Sequence, residues 1–381
     1  MTAYRIPFNR ASVVGAEQAY IAEALAGGVL AGDGPFTKRC QGLLERELGV
    51  PKALLTTNCT HALEMAALLL DIGPGDEVIL PSFTFVSTVN AFVLRGARPV
   101  FIDIRPDTLN ADERLLDGLI TDRTRAIVVV HYAGVACEMD TILEVAGRHG
   151  IPVVEDNAHG LFGSYKGRPL GTLGALATQS FHETKNFSCG EGGALLINDE
   201  RFVEPAEIIR EKGTDRSRFF RGQVDKYTWV SPGSSYLPSD LLAAVLLAQL
   251  EARDRIQATR GAVWNAYDRD LAAWADAHGV RRPVVPPECG QPYHLYYLLL
   301  PSLEQRQAFI AHMRSRGILS VFHYVPLHRS SMGQALGAAE DSCPVTEDVS
   351  DRLVRLPLFN ALTPAETRDV IDAVLAFPVA S

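Results

Sequence analysis

Pro152-Val153-Val154-Glu155-Asp156-Asn157-Ala158-His159 is a short apolar run that ends in acidic and polar residues. Ser180-Phe181-His182-Glu183-Thr184-Lys185-Asn186 follows it after a glycine-rich interval, and Gly190-Glu191-Gly192-Gly193 comes next. The first segment is typical of a buried strand with polar side chains at its carboxyl end, and the second of a polar turn. The glycines indicate that backbone passes close to something bound.

Asp156 and Lys185 together suggest one kind of chemistry. A lysine amine can form an imine with the aldehyde of pyridoxal phosphate (PLP), and a carboxylate can keep the pyridine nitrogen of that cofactor protonated. Each residue alone would more often be a surface charge or a helix N-cap. With His159 and Ser180 close by in sequence, the pair favours a PLP site.

The first half of the chain alternates short apolar runs with amphipathic stretches, which predicts strands joined by crossover helices and a mainly parallel sheet. The predicted strands are residues 53–56, 77–80, 99–102, 126–130, 152–155, 177–180 and 194–197. The predicted helices between them are residues 60–70, 85–95, 111–120 and 139–149.

Beyond this region the pattern changes. One long helix is predicted from Ser239 to Ala258, followed by a proline-rich connection at 283–292, a strand at 293–300, a helix at 305–316 and a strand at 320–323. We therefore expect a large domain at residues 1–250, of which the first 30 or so can pack elsewhere, and a smaller C-terminal domain at 251–381.

Composition narrows the function classes. Of the 381 residues, 47% are hydrophobic and 21% charged, as in ordinary soluble globular proteins, and the net charge of −9 argues against binding nucleic acid or anionic membrane. With no long apolar run and no signal-peptide pattern at the N-terminus, we expect a cytoplasmic protein. The six cysteines are scattered, so neither disulfides nor a metal site is expected.

Two further segments each allow two interpretations. Thr57-Asn58-Cys59-Thr60 links a predicted strand to a helix, so the free amides at Cys59 and Thr60 could bind a phosphate, although an ordinary helix N-cap has the same pattern. Arginines and aromatic residues mix in the run from Arg210 to Lys226, which includes Arg221. That run is either a solvated loop face or a clamp for a diphosphate with an attached base.

Taken together, these motifs resemble those of the fold-type-I PLP enzymes, and among them the DegT-type nucleotide-sugar aminotransferases, over nearly the whole chain. The resemblance also covers Pro81-Ser82-Phe83-Thr84-Phe85 and His323-Tyr324-Val325-Pro326-Leu327-His328. It is greatest to the transaminases that produce dTDP-4-amino-4,6-dideoxygalactose. The fold that it implies has a large domain with a mainly parallel seven-stranded sheet and a smaller α+β C-terminal domain.

The resemblance also implies a role for each site residue. Lys185 would form the imine, Asp156 would pair with the pyridine nitrogen, Phe85 would stack on the ring and His159 would approach the phenolic oxygen. The remaining implied contacts are those of Cys59, Thr60 and Ser180 with the phosphate, Ser235 with the phosphate bound by a second subunit, and Arg221, Tyr324 and His328 with the substrate.

The implied reaction moves the amino group of L-glutamate to a dTDP-4-keto-6-deoxyhexose with ping-pong kinetics, in a homodimer with shared active sites. A 3-keto-sugar aminotransferase remains open, as does the configuration of the product. A dehydratase of the same family would carry His in place of Lys185, and a non-catalytic relative would not need both Asp156 and Lys185.

Overall fold

The computed structural model describes residues 4–339 and 342–379. Numbered in chain order, its strands are β1 Lys52–Thr56, β2 Glu77–Pro81, β3 Arg98–Ile102, β4 Thr124–Val130, β5 Val153–Asp156, β6 Ser164–Tyr165, β7 Arg168–Pro169, β8 Leu176–Ser180, β9 Gly193–Ile197, β10 Cys289–Gly290, β11 Tyr296–Leu299 and β12 Leu353–Leu356. Its helices are α1 Glu17–Gly27, α2 Pro35–Leu48, α3 Cys59–Leu69, α4 Val86–Val93, α5 Leu116–Leu119, α6 Met139–His149, α7 Val203–Arg210, α8 Arg216–Phe220, α9 Asp240–Glu251, α10 Arg253–Ala277, α11 Leu303–Ser315, α12 Ser331–Ala335, α13 Pro344–Arg352 and α14 Pro364–Leu375. Short 3-10 turns lie at Glu113–Leu115, Tyr132–Gly134, Glu200–Phe202 and Leu327–Arg329.

The main sheet has the order β1-β9-β8-β5-β4-β2-β3. Neighbours from β8 to β3 pair in parallel, whereas β9 is antiparallel to both β8 and β1. Strands such as β2 and β9 are buried throughout, as expected when helices cover both faces of a sheet. The predicted seven-stranded, mainly parallel sheet is confirmed, with each strand within two residues of its predicted ends.

The helix predicted from Ser239 to Ala258 is wrong in one respect, because it is two helices. α9 ends at Glu251 and α10 begins at Arg253, with Ala252 at the junction (φ −87°, ψ 13°). α9 buries its apolar residues together with those of α2 and β1, while the middle of α10 packs into a separate cluster with β11 and β12. The two helices pack into different clusters, so the chain changes direction between them. No proline or glycine marks this break in the sequence.

The helix predicted at residues 111–120 is also largely replaced, since the structure has only the 3-10 turn at Glu113–Leu115 and the single turn of α5. The strand predicted at 320–323 is wrong as well. Val321 makes one isolated bridge to Arg355, and the chain then leaves the β11–β12 pair, with Phe322 and Val325 exposed. This departure carries His323 to within 3.1 Å of the hydroxyl of Tyr132, next to the main sheet.

The apolar cluster that contains the middle of α10 lies around β11 and β12 and also includes residues of α11 and α14. Ile6 belongs to it and pairs with Ile318, so the N-terminal segment packs on the C-terminal part of the chain. The domain boundary at residue 250 stays a prediction. Within the described ranges, no helix has the length and hydropathy needed to cross a membrane.

Candidate active site

Asp156 lies at the carboxyl end of β5, the strand near the middle of the main sheet. It is 5% exposed, and its Oδ2 accepts a hydrogen bond from the Thr88 hydroxyl at 2.7 Å. Its Oδ1 accepts from the backbone amide of Ala158 at 3.2 Å. Burial raises the pKa of Asp156, and the hydrogen bonds and the positive charge of Lys185 oppose that shift. A cationic ligand at this position would hold the carboxylate in its charged form.

Lys185 lies in the turn after β8, where its amide donates to the carbonyl of His182 at 2.9 Å. No described residue forms a hydrogen bond or ion pair with its amine. Burial is the main cause that lowers the pKa of Lys185 to about 8, against the attraction of Asp156. The neutral amine, which is the form that acts as a nucleophile, is therefore far more populated near physiological pH than in an ordinary lysine.

Cys59 and Thr60 begin α3, and no described group accepts a hydrogen bond from their backbone amides. The side chain of the N-cap residue Asn58 accepts from the amide of His61, at 2.8 Å, so the amides of Cys59 and Thr60 are free to bind an anion. Ser180 ends β8 and pairs in register with Gly193.

Gly193 allows this helix start to come close to the sheet. A Cβ built on Gly193 would lie 2.3 Å from the carbonyl carbon of Asn58 and 2.5 Å from the amide nitrogen of Cys59. Any side chain there would push α3 away from Ser180. The free amides at the start of α3 therefore lie close to Gly193, the register partner of Ser180, in a position suited to a phosphate.

Phe85 precedes α4 and is 57% exposed. A phenylalanine near a helix start is more often buried in the core, but the side chain of Phe85 is exposed. An exposed aromatic ring three residues before Thr88 can cover a planar ligand that pairs with Asp156.

His159 is buried and stacks on His294, with ring centroids 4.2 Å apart. Burial lowers the pKa of His159 well below its usual range, so the ring is neutral. The amide of Ala133 donates to its Nδ1 at 3.3 Å, which leaves the proton on Nε2. His159 can therefore donate one hydrogen bond from Nε2.

Three residues were predicted to contact substrate. Tyr324 lies next to the site, whereas His328 and Arg221 bond to other side chains of the chain. The ring of Tyr324 packs against Phe83, with centroids 5.5 Å apart. Both ring nitrogens of His328 are engaged, Nδ1 with the Ser82 hydroxyl at 2.6 Å and Nε2 with Glu347 at 3.0 Å. Since His328 is fully buried, this arrangement offers no free nitrogen to a sugar.

Arg221 and Ser235 lie on the outside of the described chain. Arg221 pairs with Glu207 at 2.7 Å, on the surface of α7. Ser235 is exposed, its backbone bridges to Glu211, and no described residue bonds its side chain. The proposed reach of Ser235 into a second subunit stays a prediction.

Sequence reasoning missed the groups that hold Asp156 in place. Thr88 is one, and its own hydroxyl lies 2.9 Å from that of Thr84. The other is Glu155, which accepts from His131 Nε2 at 2.8 Å and from three backbone amides of the segment 171–174. Thr84 lies two residues before α4 and Thr88 in its first turn, so no shared helical face in the sequence signalled this contact.

The residues present fit PLP. A buried carboxylate faces the position of a ring nitrogen, an amine with a lowered pKa can take up the aldehyde, and free helix-terminal amides suit the phosphate. The exposed ring of Phe85 and the Nε2 proton of His159 complete the set.

Known proteins share this sequence and fold. The sequence pattern of the DegT/DnrJ/EryC1/StrS aminotransferase family matches residues 12–375. The spore coat polysaccharide biosynthesis protein SpsC of Bacillus subtilis is 33% identical over 377 residues, which cover 97% of this chain and 96% of SpsC.

Two solved structures are similar throughout. The PLP form of Spr1654 from Streptococcus pneumoniae, provisionally assigned as a sugar aminotransferase, has 28% identity and a TM-score of 0.91 and covers 99% of this chain and 100% of its own. The aminotransferase TlmJ from Streptoalloteichus hindustanus has 31% identity and a TM-score of 0.88, with 99% and 98% covered.

Proposed function

Because the chain belongs to the DegT/DnrJ/EryC1/StrS aminotransferase family, we propose that it is a nucleotide-sugar aminotransferase that transfers the amino group of L-glutamate to a dTDP-4-keto-6-deoxyhexose. The fold is that of the fold-type-I PLP enzymes, and PLP is the cofactor. The observation that carries the catalytic part is that the buried Asp156 carboxylate and the Lys185 amine, which follow the neighbouring strands β5 and β8, lie close enough for the charge of each to act on the pKa of the other.

When bound, PLP supplies an aldehyde that captures amines and a ring that withdraws electrons from the carbon being deprotonated. Asp156 holds the ring nitrogen protonated by its charge, and Thr88 fixes the orientation of that carboxylate. The Cys59 and Thr60 amides and the Ser180 hydroxyl bind the phosphate. Together these contacts would hold the cofactor next to Lys185.

Lys185 does two things in the proposed mechanism. Its amine, with a pKa of about 8, is neutral often enough to attack a carbonyl, and once free it takes a proton from the α-carbon of the donor. His159 would donate a hydrogen bond from Nε2 to an oxygen of the bound group, and the neutral ring adds no charge that would disfavour the Lys185 ammonium. The donor leaves its amino group on the enzyme and departs before the keto-sugar binds, which predicts ping-pong kinetics.

Support for a nucleotide-linked sugar comes from the surface segment at residues 216–230. It carries exposed aromatic side chains, among them Phe220 at 69% and Trp229 at 76% exposure, and Arg216 lies over the Phe220 ring at 5.1 Å. Aromatic rings and arginines of this kind can stack on a base and bind a diphosphate. The polysaccharide role in the name of SpsC and the provisional assignment of Spr1654 agree with a sugar substrate.

A homodimer with shared sites belongs to the same proposal. The exposed rings at 216–230 and the exposed Ser235 are the parts expected to meet a second copy of this chain. Sedimentation of an active monomer would contradict this part.

The test uses purified holoenzyme with L-glutamate and dTDP-4-keto-6-deoxyglucose, and Lys185→Ala as the control. We expect 2-oxoglutarate and a dTDP-linked 4-amino sugar, whose configuration follows from proton coupling constants. Amination only of the 3-keto isomer would move the assignment to the 3-keto class. The absence of any amino sugar with either ketone would refute the substrate assignment.

A further inference from the structure

Asn186 follows Lys185 directly, and its polar groups bond to residues outside the turn that contains the lysine (residues 181–190, called here the Lys185 turn). Its Nδ2 donates to the carbonyl of Pro292 at 2.7 Å, and its own carbonyl accepts from Asn360 Nδ2 at 2.9 Å. Its Oδ1 lies 2.9 Å from Nδ1 of His294. Because Asn186 is only 5% exposed, these bonds take the place of bonds to water. They tie the Lys185 turn to two segments that come much later in the chain.

The ring of His294 also contacts His159. The two rings stack, with centroids 4.2 Å apart and an angle of 22° between their planes. Since Asn186 Nδ2 donates to a carbonyl, its Oδ1 is the acceptor, and His294 Nδ1 therefore carries the proton. Burial lowers the pKa of His294 well below its usual range, so the ring is neutral and adds no charge beside Lys185. One imidazole thus supports the ring of His159 through its face and the Lys185 turn through its Nδ1.

Arg260 holds both segments that bond to the Lys185 turn. It lies on α10, is 1% exposed and forms an ion pair with no described Asp or Glu. Its guanidinium donates instead to the carbonyls of Tyr293, His294 and Leu358 and, at 2.9 Å, to Oδ1 of Asn360. A buried cation whose donors are directed at backbone carbonyls and one amide side chain favours a single arrangement of those groups. The two segments are therefore fixed relative to each other.

We propose that Asn186 and His294 are positioning residues, which set where the Lys185 amine and the His159 ring lie relative to each other. This rests on the proposed aminotransferase function and names residues that act on the reaction through Lys185 and His159. Backbone bonds such as that from the Lys185 amide to the His182 carbonyl stay within the Lys185 turn, so they fix its shape rather than its position. An error of about 1 Å in the position of a catalytic group can lower a rate about 100-fold.

Hydrogen exchange of the PLP-bound protein tests the bond between the two residues. His294→Phe keeps an aromatic ring on His159 but leaves Asn186 Oδ1 without a donor, so amides of the Lys185 turn should exchange about 10-fold faster or more. In His294→Asn the side-chain Nδ2 takes the place of the imidazole Nδ1, so exchange of the turn should stay within about threefold of the wild type. His312→Phe is the matched control, because this half-buried histidine bonds to the Ala373 carbonyl at 2.8 Å, and it should leave the turn unchanged.

The glutamate half-reaction, followed by cofactor absorbance, tests the consequence for catalysis. His294→Phe should lower its maximal rate about 10-fold and leave the L-glutamate concentration at half-maximal rate within about twofold, because positioning affects the reacting atoms rather than donor binding. His294→Asn, which lacks the ring, should lower the maximal rate about 3- to 10-fold. That loss should disappear when His159 is replaced by Phe in both proteins being compared, since the ring of His294 acts through His159.

Three results would overturn the proposal. They are unchanged exchange or an unchanged rate in His294→Phe, equal acceleration of exchange by the Phe and Asn variants, and equal acceleration in the peptides of β4 and β5, which indicates a general loss of stability. If His294→Phe does not fold, Asn186→Asp is used, whose carboxylate still accepts from His294 but cannot donate to Pro292. Faster exchange of the Lys185 turn in that variant supports the proposal, and unchanged exchange contradicts it. Should no amine be transferred from any donor, the proposed function fails, while exchange of the PLP-bound protein still tests Asn186 and His294.

Discussion

Replacing Thr88 with Val tests whether the Asp156 carboxylate is held in its charged form by a hydroxyl that the sequence did not reveal. Val has nearly the same shape as Thr, so the change removes the 2.7 Å hydrogen bond to Asp156 and leaves no cavity. A hydrogen bond to a charged group contributes about 1.5–3 kcal/mol, so its loss should raise the pKa of Asp156 further. Because burial already raises that pKa, the variant should pair more weakly with a protonated ring nitrogen.

We expect Thr88→Val to lower kcat/KM about 10- to 100-fold and to weaken cofactor binding, with Thr88→Ser restoring most of both. Thr84→Val is the matched control, because it breaks the 2.9 Å contact with Thr88 but leaves the bond to Asp156. Stopped-flow measurement of the glutamate half-reaction and equilibrium dialysis of the cofactor give the two quantities. Equal effects of the Thr88 and Thr84 substitutions would refute the reasoning.

Three further predictions concern the phosphate position, the lysine and the strand that carries Asp156. Gly193→Ala should weaken PLP binding at least about 10-fold, because the added Cβ would lie 2.3 Å from the carbonyl carbon of Asn58. The control is Gly147→Ala on α6, which has open space around it and should leave PLP binding unchanged. A fluorescence titration of each variant with PLP measures the difference. The rate at which apoenzyme takes up PLP should rise as the pH increases through about 8, since the Lys185 amine is protonated below that pH; a rise only near pH 10, as for an unperturbed lysine at about 10.4, would contradict the lowered pKa. Glu155→Gln should lower the free energy of unfolding by about 3–5 kcal/mol. Hydrogen bonds from His131 and backbone amides stabilise the buried Glu155 carboxylate, and a glutamine side chain cannot accept all of them. A decrease in melting temperature of less than about 2 °C would contradict this prediction.

Much of the fold was predictable because the strands of the main sheet are buried on both faces. Such strands appear as continuous apolar runs between amphipathic helices, and the strands predicted at 152–155 and 177–180 lie within one residue of β5 and β8. The break at Ala252 was not predictable, because α9 and α10 turn toward different apolar clusters and no local residue requires it. Likewise, residues 320–323 have strand-like composition, but contacts of His323 with Tyr132 draw them away from β12.

Some residues of the candidate site could be predicted from the sequence and others could not. Residues next to the strand ends, Asp156 and Lys185, were found because their residue types are specific for the chemistry. Thr88 was missed because a threonine in a helix is ordinary in sequence. Only the fold shows that it bonds a buried carboxylate.

The central claim is that one lysine amine forms the covalent bond with PLP. The most direct test is reduction of the holoenzyme with borohydride, followed by peptide mapping with mass spectrometry. The account predicts that the pyridoxyl group is found on Lys185 and is lost from that peptide in Lys185→Ala. Labelling of Lys166, Lys212 or another lysine in place of Lys185, or a cofactor that stays unreduced and dissociates, would contradict it.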